Sequence, residues 1–328
     1  MDWLPLRSEM TDQAAAALKA RRSAARIRHF TYSDAVLDNA SGGVICNDHF
    51  MPPALGRRFD LSKQAIQSIV ADATQADTGS LDIAVGYRAG WKNYYHWTTQ
   101  CLLNTYWLHR EGLLEGCVLA VPRIGQIQER CLQLLGIAPE KLYCVDRTGS
   151  VRAKTFKVTN VLFALAAHRF PSELRSMAAV LKSGANTEDI AAPRSIYISR
   201  FDSHRRRMIN EEQLIKALEK LGIAHVSMTG KTLDEQIWIL RGAKLIVAPH
   251  GAALTNILYA EPGSHLYELL PSSYVVRCYQ DLARAASVVY SDSIFESSIG
   301  AQHSTVWSVD VDQVCRQAAS LQQAAMRG

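Results

Sequence analysis

The sequence predicts an α/β protein of two lobes, each a parallel sheet with helices on both faces, and a ligand cleft between them. Three observations predict it. Short β-branched runs alternate with amphipathic segments of helical length, the connections are short, and 328 residues exceed what one core of about 150 residues needs. Such alternation requires parallel strands joined by right-handed crossovers.

In the first lobe, residues 83–85, 116–121 and 141–145 read as strands, with helices near 62–73, 97–111 and 126–135. Pro171 and the stretch 184–193, which mixes Gly, Asn, Thr, Asp, Ala and Pro, place the hinge within residues 166–193. The second lobe is more regular. A strand at 195–199 leads into a helix that starts at Asn210-Glu211-Glu212-Gln213, puts Leu214, Ile215, Leu218 and Leu221 on one face, and closes at Gly222. Residues 223–228 form the next strand. Thr232-Leu233-Asp234-Glu235 has capping-box spacing and opens a helix running to Arg241. A buried strand at 244–248, a short helix at 252–259, a strand at 265–270 and helical sequence from Tyr274 complete a βαβαβαβ run. A last strand at 305–309 precedes a helix at 311–326. The expected units are residues 1–170, 171–310 and a terminal helix at 311–328.

Composition excludes several classes. At 48% hydrophobic and 20% charged residues the chain is neither disordered nor fibrous. A net charge of +5 suits anionic ligands without demanding nucleic acid, and no nucleic-acid partner is expected. No apolar run reaches signal-peptide length at Met1-Asp2-Trp3-Leu4-Pro5-Leu6-Arg7, and none reaches the ~18 residues of a membrane span, so a cytoplasmic protein is expected. Seven scattered cysteines lack C-x-x-C spacing and read as buried thiols rather than zinc or redox sites.

Ligands of parallel sheets sit at the carboxyl ends of the strands. There, an apolar strand ends at Pro249-His250-Gly251-Ala252-Ala253 and a helix of small residues begins. A helix start offers unpaired N–H groups and a positive dipole end, and small residues let a diphosphate approach them. A tight βα turn that merely packs closely would look the same. Arg200, Arg205, Arg206 and Arg207, delivered to the same sheet edge, supply guanidinium forks that match phosphate oxygens, although a solvated basic loop is the plainer reading of that run alone. Glu268 near a strand end suits a ribose diol, or an ion pair with one of the arginines. In the first lobe Trp91-Lys92-Asn93-Tyr94-Tyr95-His96-Trp97 gathers aromatic faces and a titratable histidine, which suits a sugar acceptor and a general base, or a core aromatic cluster. Asp310-Val311-Asp312 has D-x-D spacing but precedes a helix, where an acidic N-cap is the simpler account.

Taken together, Arg207-Met208-Ile209-Asn210-Glu211, Glu235-Gln236-Ile237, His250-Gly251-Ala252-Ala253-Leu254-Thr255-Asn256 and Glu268 resemble glycosyltransferase family 61, as does Asn93-Tyr94-Tyr95-His96-Trp97. The likeness extends from about residue 90 to 290, with Ala253 standing where the family often has glycine. The resemblance implies a GT-B fold with the donor nucleotide in the second lobe, inversion at the anomeric carbon, no cofactor and no required metal, and a terminal helix that crosses back onto the first lobe. On that footing the expected donor-binding residues are Ser199, Arg200, Arg205, Arg207, Gln236, His250, Gly251, Ala252, Ala253, Asn256 and Glu268. Asn93, Tyr95 and Trp97 are expected to meet the acceptor. His96 is the first candidate base and Asp48 the second. The expected partners are a nucleotide-sugar donor, a UDP-sugar first, and a saccharide or glycolipid acceptor. The absence of a leader points to the bacterial branch, in capsule or lipopolysaccharide assembly and peripheral to the inner membrane. A sugar-nucleotide epimerase and a non-catalytic glycan-binding subunit stay open as alternatives.

Overall fold

A computed structural model describes residues 26–51, 61–146, 148–164, 166–186, 192–201, 203, 205–298 and 305–327. The reading of the first seven residues, and half of the 184–193 connection, lie outside them.

The first half contains β1 (His29–Asp38), β2 (Gly43–Cys46), β3 (His49–Phe50), α1 (Lys63–Ala71), β4 (Thr74–Gln75) and β5 (Asp82–Val85). A continuous helical run, α2, follows as Tyr94–His96, a π segment Trp97–Leu102, and Leu103–Arg110. Then come β6 (Cys117–Pro122), α3 (Gln126–Leu134), β7 (Leu142–Val145), β8 (Ser150–Thr159), α4 (Ala166–Arg169) and α5 (Pro171–Gly184). Among the described residues the sheet order is β3-β2-β1-β8-β5-β6-β7, with β4 also beside β8. Strands β5, β6 and β7 are parallel, as expected, and β8, which the sequence reading lacked, joins them parallel to β5. The hairpin side is not, because β1 joins β8 antiparallel and carries β2 and β3 outward to the edge. This half is therefore mixed rather than purely parallel. The inward phase of β8 changes between Ala153 and Phe156, opposite Asp34, whose φ is +50°. A broken alternation hides a strand from a period-2 reading.

The second half contains β9 (Ser195–Ile198), β10 (Arg207–Met208), α6 (Glu211–Glu219), β11 (Ala224–Val226), α7 (Leu233–Gly242), β12 (Leu245–Pro249), a 3-10 segment (Ala252–Tyr259), β13 (His265–Pro271), α8 (Cys278–Ala286), β14 (Val289–Phe295), β15 (Val306–Trp307) and α9 (Val311–Arg327). Strands β11-β9-β12-β13-β14 form a wholly parallel sheet in that order. The chain moves one way from β9 to β11 and then crosses to β12 on the other side, which makes the β9/β12 edge a topological switch point. The Thr232 capping box is present, and Gly222 takes φ +73° just past α6.

Two apolar clusters hold the layers. On one face of the parallel sheet Tyr197, Leu245, Val247, Tyr267 and Leu269 pack with Leu214 and Leu218 of α6 and with Val314 and Ala318 of α9. Helix α9 lies on α6, β12 and β13, and Gln322 donates to Ser195 Oγ at 3.0 Å. The terminal helix thus closes the outer face of the second sheet, where the expectation had it crossing to the first lobe. On the opposite face Ile196, Ile198, Ile246 and Leu266 join one continuous cluster with Leu102, Leu103 and Leu132 of the first half, through Leu254, Ile257 and Leu282. Each such fully buried side chain contributes about 1.5–3 kcal/mol. The same core therefore fastens the two halves together.

Candidate functional site

A cavity of about 850 Å³ opens at the C-terminal ends of β9, β11 and β12. Ser199, Arg200 and Ser203 line it beyond β9, Met228 to Lys231 beyond β11, and Ala252, Ala253 and Asn256 beyond β12. Tyr94 and the first turn of α3, with Gln126, Gln128 and Arg130, close it from the other half. It lies between the halves, at the switch point of the second sheet.

The turn after β12 is shaped around Arg200. A Cβ on Gly251 would fall 2.1 Å from Arg200 Nη1 and 3.0 Å from its Cδ, so only glycine leaves room for that guanidinium. Arg200 is anchored at both ends. Its backbone N–H donates to Glu211 Oε1 at 2.8 Å, and Nη2 donates to Ser203 Oγ at 2.8 Å and to the Arg205 carbonyl at 3.0 Å. Glu211 is buried at the start of α6 and also accepts from Tyr197 at 2.9 Å. The expected short helix after the turn is a 3-10 segment, and its first N–H groups have no partner within the segment. The N-terminus of α7, by contrast, is capped by its own Glu235, while Asp234 accepts two bonds from Arg130 at 2.8 and 2.9 Å. Of these two helix starts, the turn at Gly251 is the one that keeps an anion-binding geometry.

The arginine run resolves into different roles. Arg205 and Arg207 are exposed and do not line the cavity, which corrects the expectation that both reach the donor. Arg207 instead pairs in β10 with Val306 of β15. Arg206 turns inward at φ +52°, its carbonyl accepting from Trp307 Nε1 at 2.8 Å, and its guanidinium lies 4.4 Å above the Tyr274 ring. Burial pushes its pKa down.

Glu268 is fully buried. One carboxylate oxygen meets His250 Nδ1 at 2.6 Å and the other accepts from Tyr290 at 2.7 Å. Nothing of it reaches a ribose, so the donor-binding expectation for Glu268 gives way to a role beneath His250. The His250 ring lies 5.3 Å from that of Tyr274 and 5.0 Å from that of Tyr279.

In the first half, Asn93 caps α2, its Oδ1 accepting from Tyr95 N at 2.9 Å. Tyr95 stands edge-on between His96 and Tyr279, each 5.6 Å away. This places His96 and His250 along one aromatic wall. Gln100 donates its amide to the Ala164 carbonyl at 2.6 Å, which turns its Oε1 toward His96 Nδ1 at 2.7 Å and Arg88 Nη1 at 2.7 Å. Arg88 Nη1 also lies 3.4 Å from the same nitrogen, and because the Gln100 contact is much the shorter, Nδ1 carries the His96 proton and Nε2 the basic lone pair. Trp97 is 1% exposed and sits in the core, so it cannot meet an acceptor. Asp48 is also misplaced. Asn47 and Asp48, at φ +51° and +58°, make the tight turn between β2 and β3 at the sheet edge, and Asp48 accepts from Gln67 at 3.3 Å.

Tyr94, Ser203, Lys231 and Arg130 line the cavity without having been expected there. Tyr94 donates to Asn256 Oδ1 at 2.8 Å, Asn256 donates to Gln236 Oε1 at 2.8 Å, and Gln236 donates to the Lys231 carbonyl at 3.1 Å. Gln236 and Asn256 thus join the two halves along the cavity wall. Arg130, mid-way along an amphipathic helix, shows in sequence no sign of facing a strand end in the other half. Asp310 caps α9 by accepting from Gln313 N at 2.9 Å.

A doubly wound sheet with a crevice at its switch point, an arginine laid over a glycine turn and a second α/β half closing above it make a ligand-binding crevice of the α/β class. The sequence model of the family Glycosyltransferase 61 matches residues 94–267, more than half of the 328 residues, and the chain belongs to that family. It is 32% identical over 100 residues to the EGF domain-specific O-linked N-acetylglucosamine transferase of Drosophila melanogaster, covering 30% of this chain and 19% of that protein. It is 33% identical over 94 residues to protein O-linked-mannose beta-1,4-N-acetylglucosaminyltransferase 2 of Takifugu rubripes, covering 27% and 16%. The Gallus gallus EGF domain-specific O-linked N-acetylglucosamine transferase is 30% identical over 90 residues, covering 26% and 17%. Each match spans under a fifth of the relative. These relatives are animal proteins, and their names lend no support to the capsule or lipopolysaccharide expectation.

Proposed function

We propose that this chain is a glycosyltransferase that takes a UDP-sugar in the cavity at the β9/β12 switch point and transfers the sugar, with inversion, to a hydroxyl of a glycan or protein. In this reading the halves form a GT-B pair, residues 1–170 serving the acceptor and 171–310 the donor. The observation that carries it is the juxtaposition of Arg200, Gly251 and the opening of the 3-10 segment at the cavity wall. Guanidinium and backbone N–H groups there suit a diphosphate, and preorganised donors at the leaving group are the largest lever on such a transfer.

The acceptor hydroxyl gives its proton to His96 Nε2 as its oxygen bonds to the anomeric carbon, and the bond to the diphosphate breaks on the opposite face. The electron pair leaves with the nucleoside diphosphate, whose charge Arg200 and the turn hold. The relatives' names put N-acetylglucosamine first among the sugars to try. Thermal melts with a panel of nucleoside diphosphates and nucleotide sugars test the reading, since a ligand at 100 times its Kd adds about 2.7 kcal/mol. UDP and one UDP-sugar are expected to raise Tm in the native chain and not in Arg200→Ala. A panel without any shift would end this reading.

A further inference from the structure

The carboxylate under the turn bears on how His250 acts. Glu268 accepts one bond from the His250 ring and one from the Tyr290 hydroxyl, and is itself fully buried. Glu268 and Asp292 are paired neighbours on β13 and β14, and Tyr290 lies 3.1 Å from Asp292 Oδ2. Arg277 forms an ion pair with that same Asp292. A phenol has a single proton. Because Asp292 is neutralised by Arg277, and because the contact to Glu268 is the shorter at 2.7 Å, the Tyr290 proton belongs to Glu268. Burial beside Glu268 pushes the Tyr290 hydroxyl far above its ordinary range, so it remains a donor.

As a carboxylate Glu268 only accepts, so with Tyr290 donating to one oxygen the contact at the other is a donation from His250, which then carries its proton on Nδ1. Among the described residues no protein group meets Nε2 of His250. We propose that Glu268 and Tyr290 are positioning residues that keep the proton on Nδ1 of His250, so that Nε2 is the atom presented at the turn to the departing diphosphate. A proton that Nε2 takes from solvent, its charge set against the buried carboxylate, lets the ring donate to a phosphate oxygen as charge builds there. The carboxylate orients the imidazole and does not itself take the proton, the division of labour known from catalytic triads. The role at the diphosphate rests on the donor-site reading above, whereas the tautomer does not.

The test uses the full chain labelled with 15N-histidine, with the His250 signal identified by its loss in His250→Asn. The resting protein is expected to show the proton on Nδ1. In Glu268→Gln the amide must give its oxygen to Tyr290 and its NH2 to the ring, which moves the proton to Nε2. A wild-type ring protonated on Nε2 alone overturns the proposal whatever the donor. Kinetics supply the second arm: Glu268→Gln is expected to lower kcat roughly 10-fold with donor KM nearly unchanged, and to cost nothing further in His250→Asn. Equal losses in both backgrounds would show that Glu268 acts through the fold rather than through His250. Tyr290→Phe, which removes one hydroxyl, repeats the cycle if the Gln variant does not fold. An Nδ1 proton together with a His250 signal that UDP leaves unmoved would retire the donor-site reading while keeping the tautomer assignment.

Discussion

At Gly251 a single methyl group would meet the tip of Arg200. That tip ends a long side chain that can shift aside, so Gly251→Ala costs the fold little more than the guanidinium's bonds to Ser203 and the Arg205 carbonyl, about 1–2 kcal/mol. The displaced guanidinium leaves the turn, and affinity for UDP is expected to fall about 10-fold or more by titration calorimetry, which corresponds to one charge-assisted bond. An unchanged affinity would remove Arg200 from the site. Asp48 gives the opposite result. It holds φ +58° in a two-residue hairpin turn, a conformation that glycine adopts without strain. Relief of the positive φ and the added freedom of the unfolded chain nearly cancel, so Asp48→Gly is expected to change stability by less than about 0.5 kcal/mol in a denaturant melt and to leave turnover untouched. A loss of turnover would restore Asp48 as a base.

Between elements, the contact to examine is α3 against α7. Arg130 grips Asp234 with both arms of its guanidinium, and Asp234 also accepts from Asn186 N at 2.6 Å. The Arg130 hydrogen bonds hold the Asp234 carboxyl below the usual carboxylate range. A depressed folded pKa means the pair contributes above the unfolded value, near 3.9, and fades as pH falls through the lower folded value. Because both side chains are partly exposed, a coupling of no more than about 1 kcal/mol is expected from an Arg130→Ala, Asp234→Asn cycle at neutral pH, weaker in high salt. The coupling should vanish in strong acid. If it instead grew as the pH fell, the assignment of charge would be wrong.

For the molecule as a whole, the continuous cluster from Leu102 to Leu282 decides how it unfolds. Two lobes joined by a polar hinge would melt separately, whereas a shared apolar core couples them. Calorimetry is expected to show one cooperative transition; two resolved transitions would mean that the halves fold independently. A Lys182–Glu261 pair at 3.2 Å and the Arg175 bond to the Ala285 carbonyl at 2.9 Å also tie α5 to the second half. The cavity is thus framed by a fixed pair of halves.

Local pattern by itself determined most of the second half, though not the strands β10 and β14. Leu214, Leu218 and Gly222 set a helix and its stop, Thr232 and Glu235 capped the next, and the small residues after Pro249 marked the turn. Those features are written within a few residues of each other, where periodicity and capping act. Tertiary structure alone decided the rest. Asp48 and Trp97 carry reactive or sugar-binding groups in sequence, but one was spent on a hairpin and the other on the core. Glu268 turned from ribose to His250 because β14 brought Tyr290 beside it, and Arg206 rather than Arg207 turned inward because Trp307 holds its carbonyl. Tyr94 and Arg130 reached the cavity from the other half. Chemistry that depends on which side chains meet across long stretches of chain is settled by packing, and no spacing in a single sequence records it.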